Sequence, residues 1–113
     1  MIKIKYMQRE VVRLRLRPTA PAWILERAPE IQRIAHKHHG IRVRLFGSQA
    51  RGDAKRRSDV DFLVAFDDQA TLIDHSALSQ ELADLLKRRV NVISERGARV
   101  SFLERILPEA IEL

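Results

Sequence analysis

The chain has 113 residues, which suits one domain and leaves no room for a second independent core. It contains no cysteine, which excludes a disulfide scaffold, thiolate metal sites and cysteine nucleophiles and fits a reducing compartment. Lys and Arg outnumber Asp and Glu by 21 to 15, and the net charge of +6 favours a polyanionic partner such as a nucleotide, RNA or an acidic protein, or belongs simply to a soluble basic surface.

The first 20 residues are predicted to form a strand-like N-terminal extension. Apolar and basic residues alternate through residues 1–17, and Pro18 and Pro21 end the arm. The arm can join the sheet, pair with a second chain or stay disordered, and an exposed strand edge would favour a homo-oligomer. It lacks the apolar segment and cleavage site of a secretory signal, and no apolar run reaches the roughly 18 residues of a spanning helix. We therefore expect a cytoplasmic protein without a membrane segment.

The remaining residues, 21–113, are predicted to form one domain in which helices and strands alternate. The first helix covers 21–39 or 29–39 and ends at Gly40. The following elements are a strand over 41–46, a helix over 49–55 capped by Ser48, a strand over 59–66, a helix over 71–88, a strand over 90–93, and a last helix that carries Phe102, Ile106 and Ile111 with an interruption near Pro108. This alternation predicts an α/β layer with helices packed on a small sheet.

The segment LFGSQARGDAKRRSDVDFLVAF, residues 45–66, carries the chemistry. Asp59 and Asp61 are two apart, so on a strand both carboxylates project from one face. Two like charges that close persist mainly when a cation lies between them, and Mg²⁺ is the usual ion for an all-oxygen site. Gly47 lets a ligand approach the backbone, while Ser48 and the next helix offer N–H donors to a phosphate. A phosphate site beside metal-binding carboxylates is the equipment of nucleotidyl transfer.

The motif GSQARGDAKRRSDVDFLV resembles the signature of the nucleotidyltransferase superfamily of the DNA polymerase β type, and more narrowly the minimal nucleotidyltransferases of bacteria and archaea. The resemblance runs from about residue 31 to residue 113, which leaves residues 1–20 as an extension and 21–113 as the minimal nucleotidyltransferase domain. It implies a small mixed sheet flanked by helices, two Mg²⁺ ions, and a nucleoside triphosphate, usually ATP, as donor. By this resemblance Gly47, Ser48, Arg51 and Ser58 bind the nucleotide, and Asp59 and Asp61 ligate the metal ions as catalytic residues.

One position departs from the family's pattern. Where the family has a third carboxylate, this chain has Asn91 within Val-Asn-Val. A carboxamide keeps one acceptor oxygen but has no negative charge and cannot act as a general base. We keep Asn91 among the catalytic positions as a weakened third member, and slow, absent and normal transfer all stay open. Glu95, Asp53 and Asp74 are the acids that could replace the missing carboxylate.

The resemblance also implies a partner. Many such proteins are encoded beside a HEPN-domain ribonuclease toxin and act as its antitoxin, masking it and transferring AMP to a tyrosine near its active site. We therefore predict a Mg-ATP-dependent nucleotidyltransferase that acts as an antitoxin on a HEPN-domain protein. The alternative is an inactive nucleotidyltransferase-like binding module that neutralises its partner by occlusion. Direct nucleic-acid binding is disfavoured because aromatic platforms are scarce. Lys55, Arg56 and Arg57 contact phosphate or an acidic partner, or form a solvated loop.

Overall fold

The computed structural model describes residues 20–113, so the strands predicted for residues 1–17 lie outside the described residues. The helices are α1 (Ala22–Leu25), α2 (Ala28–Lys37), α3 (Ser48–Arg51), α4 (Leu72–Leu86) and α5 (Val100–Ile106), and a 3-10 helix covers Leu107–Glu109. The strands are β1 (Gly40–Phe46), β2 (Val60–Phe66), β3 (Val90–Ser94) and β4 (Ile111–Glu112). Within residues 20–113, no helix is long and apolar enough to cross a membrane.

The four strands form one mixed sheet in the order β3-β2-β1-β4. Strand β1 runs antiparallel to both β2 and β4, whereas β2 and β3 are parallel and are joined through α4. The last residues of β1 and the first residues of β2 and β3 therefore meet at the same end of the sheet. This arrangement confirms the predicted α/β layer with a small mixed sheet.

Local sequence signals set the position of the long crossover helix α4. The hydroxyl of Thr71 accepts the backbone N–H of Asp74, whose carboxylate accepts the backbone N–H of Thr71 in return. This reciprocal cap satisfies two N–H groups that a helix start leaves without partners. Leu78, Leu82 and Leu86 are buried at helical spacing and hold α4 against the sheet.

The alternation of side chains along β2 separates two cores. Val60, Phe62 and Val64 face the larger core, which also contains buried residues of α2 and α4. Leu63 faces the opposite side, where Phe46 and Ile106 complete a smaller core beneath α5. Asp61 lies between Val60 and Phe62 in the strand, so its side chain projects on the α5 side of the sheet.

The prediction that Gly40 ends the first helix was wrong. Helix α2 ends at Lys37, and His39 takes the left-handed conformation, with φ 67°. Gly40 instead begins β1, where a Cβ atom would lie 3.1 Å from both the carbonyl oxygen of Ala35 and Cγ1 of Val64. The glycine is therefore explained by close packing of α2 on the sheet.

Two further predictions need correction. Ser48 is the first residue of α3 rather than its cap, because Gly47 occupies the cap position with φ 77° and ψ −158°. Helix α3 stops at Arg51, well before residue 55, because Gly52 adopts the left-handed conformation. The last predicted helix likewise ends early, and Ile111 lies in β4, which pairs with β1.

Candidate active site

Asp59 and Asp61 converge on one point, the side-chain amide of Asn91. Strand pairing sets Asp61 directly beside Asn91, and Nδ2 of Asn91 donates to Oδ1 of Asp61 at 2.8 Å. The same nitrogen donates to Oδ2 of Asp59 at 3.2 Å. Asp59 immediately precedes β2 rather than beginning it, yet its carboxylate still reaches the shared point. The structure thus brings together the three residues that the sequence predicts to be catalytic.

The donor set at this point consists of carboxylate and carboxamide oxygens, which suits Mg²⁺. The Nδ2 amide of Asn91 lies between the two acids, where its partial positive charge reduces their repulsion. Rotating the amide by half a turn would present Oδ1 to the same space, so three oxygen-bearing side chains could face one cation. No cluster of three or more His, Cys, Asp or Glu residues suited to a metal occurs in the described part of the chain. A metal ion here would therefore rely on two carboxylates.

Gly47 brings backbone close to this carboxylate pair. Its left-handed φ of 77° strongly favours glycine, and a Cβ atom built there would lie only 2.3 Å from Oδ2 of Asp61. The turn into α3 leaves the backbone N–H groups of Ser48 and Gln49 without partners within residues 20–113. The geometry therefore presents free N–H donors and a close backbone approach beside Asp61.

Glu109 is a site residue that the sequence did not reveal. Its carboxylate accepts the backbone N–H of Gly47 at 2.7 Å and pairs with the guanidinium of Arg51 at 3.1 Å. Arg51 also donates to Asp53 at 3.2 Å, and the hydrogen bonds that its guanidinium donates to Asp53 and then to Glu109 raise the pKa of that guanidinium. The carboxylate of Glu109 thus already binds the N–H of Gly47 and the guanidinium of Arg51, two groups that were predicted to contact phosphate. The predicted last helix carried Ile111 beyond an interruption near Pro108, and this prediction concealed the chain reversal that brings Glu109 here.

The other predicted residues have identifiable partners. The hydroxyl of Ser58 accepts the backbone N–H of Lys55 at 2.7 Å, a contact that closes the turn before β2. Of the acids proposed as substitutes for a third carboxylate, Glu95 pairs with Arg44 at 2.6 Å, at the far end of β3 and about 13 Å along the strand from Asn91. Asp53 contacts Arg51, and Asp74 caps α4. None of the three reaches the carboxylate pair in this structure.

The polymerase β nucleotidyltransferase family matches residues 29–113. The inferred protein adenylyltransferase MJ0435 of Methanocaldococcus jannaschii is 37% identical over 76 residues, which are 66% of this chain and 82% of the relative. The protein adenylyltransferase MntA of Thermococcus cleftensis is 34% identical over 73 residues, covering 64% of this chain and 74% of the relative.

Solved structures of nucleotidyltransferases also resemble this chain. An inferred minimal nucleotidyltransferase superposes with a TM-score of 0.73 at 43% identity, covering 80% of this chain and 92% of the other. A chain from the complex of the tri-AMPylated Shewanella oneidensis HEPN toxin with its MNT antitoxin superposes with a TM-score of 0.57. That match has 21% identity and covers 74% of this chain and 66% of the other, so it shows the fold alone.

Proposed function

Because the chain belongs to the nucleotidyltransferase family of the DNA polymerase β type, we propose that it is a protein adenylyltransferase that acts as the antitoxin of a HEPN-domain toxin. It binds Mg-ATP and transfers AMP to a tyrosine hydroxyl of that toxin, a ribonuclease. Two relatives bear the name protein adenylyltransferase, which supports the reaction class. The fold shared with a HEPN toxin–MNT antitoxin complex supports the partner class.

The observation that carries the proposal is the convergence of Asp59 and Asp61 on Asn91, beside the backbone turn at Gly47. The two carboxylates would hold Mg²⁺, which when bound neutralises phosphate charge and polarises the reacting phosphoryl group. Gly47, Ser48 and Arg51 would position the triphosphate through N–H groups and a guanidinium, as the resemblance to the family implies.

The transfer itself exchanges one oxygen–phosphorus bond for another. The acceptor hydroxyl oxygen forms a bond to the α-phosphorus of ATP, the bond from that phosphorus to the bridging oxygen breaks, and pyrophosphate leaves. The acceptor's proton must pass to a base. Asn91 cannot accept it, so the proton goes to Asp59, Asp61 or solvent. A positioned general base contributes about 10²–10⁴-fold to such reactions, so we propose a slow transferase.

A second candidate function is an inactive binding module that neutralises the partner by occlusion. Two contacts favour it. The amide of Asn91 donates to both carboxylates, and Glu109 holds the N–H of Gly47 and the side chain of Arg51. In this arrangement the chain's own groups already occupy the two carboxylates that a metal ion would need, and the N–H of Gly47 and the guanidinium of Arg51 that a nucleotide would need.

A transfer assay separates the two candidates. Purified chain is incubated with α-labelled ATP, Mg²⁺ and the HEPN-domain protein encoded in the same genome, and label on that protein is measured. Wild type is compared with Asn91→Asp and with the double variant Asp59→Asn/Asp61→Asn. The matched control is Asp68→Asn/Asp84→Asn, which removes two exposed carboxylates elsewhere.

Each result has a defined meaning. Label that the control retains and the Asp59/Asp61 variant loses would support the transferase. Label only with Asn91→Asp would favour the binding module, with the third carboxylate lost. Neutralisation of the toxin by the Asp59/Asp61 variant, at wild-type strength, would also favour occlusion.

A further inference from the structure

Six cations lie on the two loops that lead into β2 and β3. They are Lys55, Arg56, Arg57, Lys87, Arg88 and Arg89, and together they are called the cationic rim below. The two loops run side by side, because the N–H of Val60 donates to the carbonyl of Arg89 at 2.9 Å. Five of the six side chains line one open cleft of about 500 Å³.

The cationic rim holds the whole positive excess of the described chain. Residues 20–113 contain 15 Lys or Arg and 14 Asp or Glu, and without the rim the numbers are nine and 14. No rim side chain forms an ion pair with a carboxylate of residues 20–113, whereas Arg42 and Arg51 pair with Glu112 and Glu109. Six like charges without counterions repel one another. Their clustering on one surface is therefore unfavourable in the free chain and favours binding of an anionic partner.

The cationic rim borders the acceptor side of the site. Arg57 lies two residues before Asp59, and Arg89 lies two residues before Asn91. In the sheet, Asp61 has β1 on one side and β3 on the other, so Gly47 and the second rim loop lie on opposite sides of it. If the triphosphate lies at Gly47, the molecule that approaches across the rim is the one that carries the acceptor hydroxyl.

We propose that the cationic rim binds an acidic surface of the acceptor protein, next to the hydroxyl that is modified. This inference rests on the proposed function, which makes the acceptor a protein. Trp23 is the single aromatic side chain lining this surface in the described chain, and the guanidinium of Arg88 already covers its ring at 5.1 Å. A surface without a free stacking platform fits a folded acidic partner better than single-stranded RNA.

A charge-reversal experiment tests this with two defined probes. A fluorescein-labelled peptide of about 12 glutamates and a single-stranded RNA of equal charge are titrated with full-length protein while anisotropy is recorded. The rim variant is Arg57→Glu/Arg89→Glu. The control is Arg33→Glu/Arg99→Glu, which reverses two exposed arginines that have no ion pair within residues 20–113. Arg57→Ala/Arg89→Ala, checked by urea unfolding, repeats the test if the reversed variant folds poorly.

We expect the rim variant to bind the acidic peptide about tenfold more weakly than wild type and the control to stay within about twofold. The wild-type affinity should also fall as salt rises from about 50 to about 200 mM. Equal losses in both variants, or no binding of the peptide by wild type, would overturn the proposal. Tighter binding of RNA that depends on the rim would replace the acidic protein with a nucleic acid.

The binding assay is independent of the transfer reaction. If the transfer assay gives no labelled product, the proposed function is wrong, but the affinity of the cationic rim for the acidic peptide is measured independently and still stands. Conversely, rim variants that bind the peptide like wild type while the chain transfers AMP would remove only the present inference.

Discussion

The carboxylate of Glu109 accepts the backbone N–H of Gly47 at 2.7 Å, although 62 positions separate the two residues in the chain. The same carboxylate pairs with Arg51, so it takes one backbone donor and one cation that a phosphate group would use. A carboxylate and a phosphate present similar anionic oxygens to such donors. If Gly47 and Arg51 bind the nucleotide as proposed, Glu109 competes with it for this end of the site.

Glu109→Gln should tighten nucleotide binding. Glutamine can still accept the N–H of Gly47 but has no charge to hold Arg51, so the incoming phosphates displace a weaker contact. Hydrogen bonds to charged groups contribute more than neutral ones, and we expect the Kd for ATP, measured by calorimetry, to fall about tenfold, or ~1.4 kcal/mol. Glu112→Gln removes the same charge three residues later, where the carboxylate pairs with Arg42, and should leave the Kd unchanged. Weaker ATP binding by Glu109→Gln would instead make Glu109 a positioning residue for the Gly47 turn.

Gly47→Ala should damage both stability and the site. The backbone at Gly47 is left-handed, and the added methyl group would lie 2.3 Å from Oδ2 of Asp61, well inside contact distance. A strained backbone position costs about 1–3 kcal/mol, so urea unfolding should show a loss of at least that size. Gly97→Ala is the matched control, because its Cβ has no neighbour closer than 3.9 Å. Equal stability of the two variants would show that the Gly47 turn is adaptable.

The carboxylate pair could be foreseen from sequence because its placement follows from local rules. Alternation in a strand puts Asp59 and Asp61 on one face. Asn91 was expected beside them only through the resemblance to the family, and the structure brings it there by the parallel pairing of β2 with β3. The contact of Glu109 with Gly47 could not be foreseen, because it depends on the chain reversing after Pro108 to form β4. No local pattern near residue 109 encodes a partner so distant in sequence.

The difference between local sequence rules and tertiary contacts also explains the errors in the predicted helix ends. Gly40 matches the pattern of a helix stop, but the space beside Ala35 and Val64 requires glycine at that position, and His39 takes the left-handed turn instead. Ser48 matches the pattern of a cap, but the close approach to Asp61 requires glycine one residue earlier. In both cases tertiary packing decides between neighbouring residues that local preference cannot separate.

Glu81 should make the fold sensitive to acid. Hydrogen bonds from Lys37 and then His38 hold the pKa of the Glu81 carboxyl below its ordinary value of 4.5. Because the pKa of Glu81 is lower in the folded chain than in the unfolded chain, its ionised carboxylate stabilises the fold fully above about pH 4.5. This stabilisation is lost as the pH falls through the folded-state pKa of Glu81. Urea midpoints between about pH 5 and about pH 3 should therefore decline less steeply for Glu81→Gln than for wild type.

The comparison for Glu81 is Glu104→Gln. Glu104 is exposed and has no ion pair within residues 20–113, so its loss should leave the pH profile parallel to that of wild type. If Glu81→Gln also ran parallel to wild type, the bridge between α2 and α4 would contribute nothing measurable. The pH profile is thus a direct test of whether Lys37 and His38 hold Glu81 in solution.

Asn91→Asp should convert a neutral bridge into a third negative charge. In the natural chain Nδ2 of Asn91 donates to Asp59 and Asp61, whereas an aspartate would repel both. Without divalent ions we therefore expect a lower Tm than wild type. The proposed Mg²⁺ site exists only in the folded chain, so Mg²⁺ should stabilise the fold by RT ln(1 + [Mg²⁺]/Kd) and raise the Tm of this variant more than that of wild type.

Under the proposed function the new carboxylate adds a general base at the third position, so AMP transfer should rise by a factor within about 10²–10⁴. Ser101→Asp adds the same charge on α5, away from the carboxylate pair, and should change neither the Mg²⁺ dependence of the Tm nor the transfer rate. A Tm of Asn91→Asp that responds to Mg²⁺ no more than wild type would mean that the third position does not contact metal. A Mg²⁺-dependent Tm without faster transfer would place the limiting step elsewhere, at displacement of Glu109 or at docking of the acceptor.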